Sequence, residues 1–293
     1  MKGIVFTISP DNIYVERAIN AVISIRCSGC HIPAFFTTPN IPIRKSPYNR
    51  LMSELCIENT VISIRPPHDQ WPSAKSIAPS ILATVEQALV LDADIICLKD
   101  LTPIFHEQPD KQFLARPSSR YLHRNSQENY HWDVFTELRW QKYLKTVGVI
   151  SEINTSLLRI QEEIMAGTVS PEAALQMCPF ELSNAPINSG VYVLRRIAED
   201  RLIGERLALK QQELLMRARC GDWCWPYDTG FFTMDEHALF AAVRLLNLNS
   251  GILPEPYHVF GWRLKKHEVN GTLNKAVLIH TSDKEYQTTV LQK

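Results

Sequence analysis

Asp92 and Asp94 lie one residue apart, immediately after the apolar run Ala88-Leu89-Val90-Leu91. In an open α/β sheet, ligands bind at the carboxyl ends of the strands. Paired carboxylates there can hold a hard divalent cation, and Mg²⁺ or Mn²⁺ can bridge the phosphates of a nucleotide. The bare triplet serves equally well as a solvated turn with a helix cap. A second cluster, Cys27-Ser28-Gly29-Cys30-His31, spells the c-type haem attachment motif. It falls where a helix pattern ends and a strand begins, so its cysteines read as an apolar helix position and a turn, and no haem is expected. Cys220 and Cys224 have a spacing used in structural zinc sites, but a shared zinc with Cys27 and Cys30 is not the expectation. Trp223, Trp225, Tyr227, Phe231 and Phe232 form an aromatic cluster just before Asp235. They suit either a packed core edge or a stacking platform for a sugar or nucleobase.

The elements that must position these residues alternate along the first hundred positions. Gly3 to Ile8 reads as a buried strand. Val15, Ala18, Ile19, Val22 and Ile25 recur at helical spacing, and Gly29 follows as a C-terminal cap. Ala34 to Thr37, Val61 to Ile64 and Ala88 to Leu91 read as further strands, with a helix over Ile77 to Val85. Strand, helix, strand repeats imply right-handed crossovers and a parallel sheet flanked by helices. Ser118 to Trp132 has no period and reads as a long loop. Helices are expected over 138–144, 157–165, from Ser170-Pro171-Glu172, over 203–216 and over 235–246, with strands over 190–194 and 276–279. The expected architecture is one α/β domain over 1–293. Residues 1–117 form its nucleotide-binding half, 118–186 an inserted acceptor-side segment, and 187–293 the sugar- and metal-site half.

With 31 Lys and Arg against 31 Asp and Glu, no broad basic footprint for nucleic acid is expected. No apolar run approaches the length that spans a bilayer. The opening Met1-Lys2-Gly3-Ile4-Val5-Phe6 turns polar too soon for a signal peptide, so the cytoplasm is the expected compartment. Seven cysteines, an odd number, do not suggest a disulfide framework.

The run from Lys75 through Leu89-Val90-Leu91-Asp92-Ala93-Asp94 to Leu101-Thr102-Pro103 resembles the central block of the family 8 glycosyltransferases. Other segments fall in that family's order. Asp11-Asn12-Ile13-Tyr14 is similar to its nucleotide contact, and Asn188-Ser189-Gly190-Val191 to its Asn-Ser/Ala-Gly strand entry. Asp235-Glu236-His237-Ala238-Leu239 is similar to its Asp-Gln-Asp-x-Leu helix start, and Ile279-His280-Thr281 to its metal-binding Ile-His segment. The sequence departs from the family at Ser9-Pro10, at Glu236 in place of Gln, and after His280, where Lys284 alone matches the usual Lys.

The resemblance implies a GT-A fold with a mostly parallel sheet. It implies transfer of a sugar from a nucleoside diphosphate donor, a UDP-hexose, with retention and with Mn²⁺ or Mg²⁺ as cofactor. Asp92, Asp94 and His280 would ligate the metal. Thr7, Asp11, Asn12, Tyr14, Lys75, Ala93 and Lys284 would contact the donor with Asp92. Asn188, Asp235 and Glu236 would line the sugar pocket, with Glu236 the first candidate for the group that stabilises the anomeric centre. The acceptor stays open among saccharides, lipid-linked glycans, proteins and small molecules. Two other readings compete. A nucleotidyltransferase usually shows a Gly-rich basic loop after the first strand, which Ser9-Pro10-Asp11-Asn12 lacks. A non-catalytic relative has no need of an intact Asp-x-Asp.

Overall fold

The computed structural model describes residues 1–8, 12–39, 48–62, 75–118, 121, 132–197, 200–219, 234–261, 271 and 273–281. In chain order the elements are β1 (Lys2–Thr7), α1 (Asn12–Cys27), β2 (Ala34–Pro39), α2 (Asn49–Glu54), β3 (Ile57–Ile62), β4 (Gln87–Leu91), β5 (Ile95–Cys97) and β6 (Phe113–Pro117). There follow α3 (Val134–Val147), α4 (Thr155–Met165), α5 (Pro171–Met177), β7 (Ile187–Arg195), α6 (Ile203–Arg219), α7 (Met234–Leu245), β8 (Ser250–Ile252), β9 (Val259–Phe260) and β10 (Leu278–His280). The chain divides into two compact units. The first is Met1–Arg116, Ser189–Leu209 and Leu248–Lys293; the second is Pro117–Asn188 and Lys210–Asn247.

In the first unit, the described strands form a seven-stranded sheet in the order β3-β2-β1-β4-β7-β6-β8. β3, β2, β1 and β4 are mutually parallel, as the strand and helix alternation implies, and β7 runs antiparallel to β4. The runs Ile4 to Phe6 and Ala88 to Leu91 are buried, which explains why they are apolar throughout rather than alternating. Phe6 and Phe36 meet edge to face at 5.7 Å, and Val15, Ile19 and Val22 of α1 join the same core. α1 ends as expected at Gly29, whose φ of +89° suits a residue without a Cβ. Cys30 N–H then donates to Ile25 C=O at 3.2 Å. Cys30 belongs to this core and Cys27 is exposed; neither is in a disulfide.

Several expectations are corrected. The helix expected over Ile77 to Val85 is the shorter 3₁₀ helix Ala78–Ala83. Pro79 at its start and six residues of length give no room to separate a period of 3.0 from 3.6. β3 begins four residues earlier than Val61, because its first half, on the sheet edge, carries Glu58, Asn59 and Thr60 in a row and so shows no apolar run. β10 is shifted to Leu278–His280, since Leu273–Lys275 is a 3₁₀ turn and Val277 N–H donates to Pro256 C=O.

The second unit is helical. Asp133 caps α3 by accepting from Thr136 N–H at 2.6 Å, and Ser170 caps α5 with Pro171 at its first position, as its sequence announces. Trp140 is fully buried. It stacks on Tyr143 at 5.3 Å and packs on His237 at 4.9 Å and Phe240 at 5.4 Å. Those contacts place the start of α7 in the same unit as residues 117–188. No helix among the described residues is long and apolar enough to cross a membrane.

Candidate active site

Asp92 follows β4 directly, at the carboxyl end of a buried parallel strand. Its N–H donates to Gly190 C=O at 2.9 Å, which extends the β4–β7 ladder by one bond. Asp94 precedes β5, a strand of a separate three-stranded sheet in the order β5-β10-β9. The register of that sheet makes the site. β10 runs antiparallel to β5 and pairs His280 with Ile95, and Thr281 N–H donates to Asp94 C=O at 3.0 Å. A histidine 186 positions from Asp94 is thereby fixed beside it. His280 Nε2 lies 3.2 Å from Asp94 Oδ1 and 3.6 Å from Asp92 Oδ2.

One donor atom from each of Asp92, Asp94 and His280 lies within 4.8 Å of the others. Two carboxylates and an imidazole around one point make a mixed oxygen and nitrogen donor set, suited to Mn²⁺ or a similar divalent ion. Lys75 Nζ holds both oxygens of Asp92, at 2.7 and 2.8 Å.

The charges are strongly interdependent. Burial raises the Asp92 carboxyl, against the pull of Lys75 and His280. Burial acts the same way on Asp94, but the His280 hydrogen bond and the positive neighbours outweigh it and hold this carboxyl well below the usual range. Burial lowers His280, yet the Asp94 hydrogen bond and the two carboxylates outweigh it and raise the imidazole above its ordinary value. With His280 protonated, its charge and that of Lys75 balance the two carboxylates, and a bound cation would take the place of the His280 proton.

His258 was not marked by the sequence. It lies just before β9, fully buried, with Nε2 3.1 Å from Nδ1 of His280. Gly261 lets this segment approach β10 closely. A Cβ there would sit 2.2 Å from Thr281 Cβ.

The other marked residues fall in several places. Thr7 ends β1 and is buried, with its hydroxyl 3.0 Å from that of Thr37. Tyr14 is partly buried in the first turn of α1, packed on the core, and Ala93 is buried between the two aspartates. In the second unit, Asn188 is the second residue of β7. Asp235 is buried and Glu236 partly so in the first turn of α7. Asp11, Lys284, Cys220, Cys224 and the aromatic cluster from Trp223 to Phe232 lie outside the described residues, as does the side chain of Asn12.

No protein-family model matches the chain, and no curated protein matches it either. Solved structures do. The galactosyltransferase LgtC, in complex with donor and acceptor sugar analogues, superposes with a TM-score of 0.55 at 13% identity, over 99% of this chain and 95% of that one. This is the GT-A glycosyltransferase fold. The bifunctional glycosyltransferase WbbM matches with a TM-score of 0.54 at 9% identity over 96% of this chain. The glycosyltransferase GlyE of Streptococcus pneumoniae TIGR4 matches with 0.51 at 13% over 97%. The chain spans 46% of the WbbM structure and 56% of the GlyE structure. Within the GT-A fold, Asp92 and Asp94 sit where the general rule for open α/β sheets puts ligands, at the carboxyl end of a central strand.

Proposed function

We infer that the protein is a divalent-cation-dependent glycosyltransferase. In this reading it moves a hexose from a nucleoside diphosphate donor, UDP-hexose, to a hydroxyl acceptor with retention of configuration. The observation that carries the reading is the convergence of Asp92, Asp94 and His280 on one point beside Lys75, on a GT-A sheet. LgtC, on the same fold, has been solved with donor and acceptor sugar analogues, which supports a sugar donor here.

Bound Mn²⁺ or Mg²⁺ supplies Lewis-acid stabilisation of the charge that develops on a departing diphosphate. The chain's own residues do the rest. Asp92, Asp94 and His280 hold the ion. Lys75, bonded to Asp92, would share its positive charge with the donor diphosphate. Thr7, Asp11, Asn12, Tyr14, Ala93 and Lys284 contact the nucleotide and diphosphate. Asn188, Asp235 and Glu236 bind the sugar, an assignment supported by their match to the family 8 motifs. The acceptor class remains a saccharide, a lipid-linked glycan, a protein or a small molecule.

A thermal-shift panel of nucleoside diphosphates with and without Mn²⁺ tests the reading. UDP with Mn²⁺ at about a hundred times its Kd should add about 2.7 kcal/mol, a rise of roughly 4 °C for a chain of this size. UDP alone should give much less. The metal-dependent part should grow with pH. A proton on His280 competes with the cation, and the raised imidazole holds that proton to a higher pH than an ordinary histidine. The shift should therefore increase as pH rises through that value and level off above it. The metal-free protein should show the opposite trend. The stabilisation from protonated His280 is full below the ordinary histidine range and is lost as pH rises through the raised value. No shift with any nucleotide would favour a non-catalytic relative.

A further inference from the structure

His258 is the C-cap of the short 3₁₀ turn Glu255–Tyr257, and its ring is 0% exposed. Its Nε2 meets His280 Nδ1 at 3.1 Å, and the two rings meet edge to edge, with centroids 5.4 Å apart and planes 26° apart. Phe260, paired with His280 in the β9–β10 register, packs on His258 at 4.6 Å. Among the described residues, His258 Nδ1 has no hydrogen-bond partner. The contact with His280 thus satisfies one of the two ring nitrogens of His258, Nε2.

An imidazole that ligates a cation offers a lone pair at one nitrogen and carries its proton at the other. In His280 the nitrogen that faces the carboxylates is Nε2. Nδ1 must then carry the proton and needs an acceptor, and His258 Nε2 is in reach of it. A neutral acceptor orients the ring without adding a third negative charge beside Asp92 and Asp94.

We propose that His258 is a positioning residue of the cation site: its Nε2 accepts the Nδ1–H of His280 and so fixes the tautomer and ring orientation that aim Nε2 at the ion. This rests on the reading of Asp92, Asp94 and His280 as the cation ligands. His258 touches neither the ion nor the donor; it acts through His280.

The test is Mn²⁺ titration of the full chain, read by the electron paramagnetic resonance of free Mn²⁺, for the parent, His258→Phe, His258→Gln and Asp94→Asn. His258→Phe keeps a flat ring but accepts no hydrogen bond. It should weaken Mn²⁺ binding by roughly tenfold to a hundredfold, the usual scale for losing a group that orients a ligand. His258→Gln, whose side-chain oxygen can accept from Nδ1–H, should recover most of that loss. A purely space-filling role would give the reverse order. Ring-¹⁵N spectra of the unmutated protein loaded with diamagnetic Cd²⁺ give a readout that needs no variant to fold. His280 should show a protonated Nδ1 and a metal-bound Nε2. A Nδ1-bound metal, or an unprotonated Nδ1, overturns the proposal. If Asp94→Asn abolishes Mn²⁺ binding while His258→Phe matches the parent, the proposal fails and the cation site stands. If the parent binds no Mn²⁺, both fail.

Discussion

Asp94→Asn should reduce release of UDP from a UDP-hexose donor by on the order of a thousandfold, equivalent to losing several kcal/mol of charge stabilisation. The substitution keeps the shape of the side chain and removes its charge. At neutral pH that charge is present, because His280 and the positive neighbours hold the Asp94 carboxyl well below the usual range. The backbone is not disturbed: Asp94 C=O accepts from Thr281 N–H whichever side chain it carries, so the β5–β10 ladder stays intact. The variant should therefore fold and lose both Mn²⁺ binding and turnover. Circular dichroism, Mn²⁺ titration and UDP release on one preparation separate these effects. A folded variant with near-parental turnover would remove Asp94 from the site.

Glu236→Gln should lower turnover by about a hundredfold, the scale of losing one electrostatic stabiliser near a developing charge. Glu236 lies in the first turn of α7, where the helix dipole favours a carboxylate. That turn is tied down within its unit. Gln211 Nε2 donates to Asp235 C=O at 3.1 Å, Tyr143 Oη donates to His237 C=O at 3.2 Å, and Trp140 packs on the His237 ring. A retaining transfer passes through an oxocarbenium-like centre, which a held carboxylate can stabilise or attack. Gln, the residue of the family 8 motif, keeps the hydrogen-bonding and removes the charge. If Gln retains turnover while Ala loses it, Glu236 binds the sugar and its charge plays no part. If neither variant differs from the parent, Glu236 is not in the site.

What the sequence revealed follows from how local each signal is. β1, α1 and β4 were legible because continuous apolar runs and a 3.6-residue period are properties of short windows. Gly29 was legible as a cap for the same reason. The Asp-x-Asp pair could be placed because a buried strand precedes it directly. By contrast, β5 and β10 are three residues each, too short to carry a period, and their pairing joins Asp94 to a histidine 186 positions away. Only the likeness to family 8 motifs marked His280. His258 had no such marker. Its place depends on the β9–β10 register and on Gly261 admitting a close approach, neither of which leaves a local pattern. The expected inserted segment 118–186 shares its unit with residues 210–247, since Trp140 draws the start of α7 to it, a long-range packing choice that helix patterns do not encode.

The most direct measurement is a crystal of the protein soaked with Mn²⁺ and a non-hydrolysable UDP-hexose analogue, with the anomalous signal of manganese used to place the ion. One peak is expected at roughly 2.0–2.3 Å from carboxylate oxygens of Asp92 and Asp94 and from His280 Nε2, with diphosphate oxygens completing the shell. A bound donor whose diphosphate lies away from Asp92, Asp94 and His280, or a manganese peak at other residues, would contradict a cation-dependent transferase built on this site.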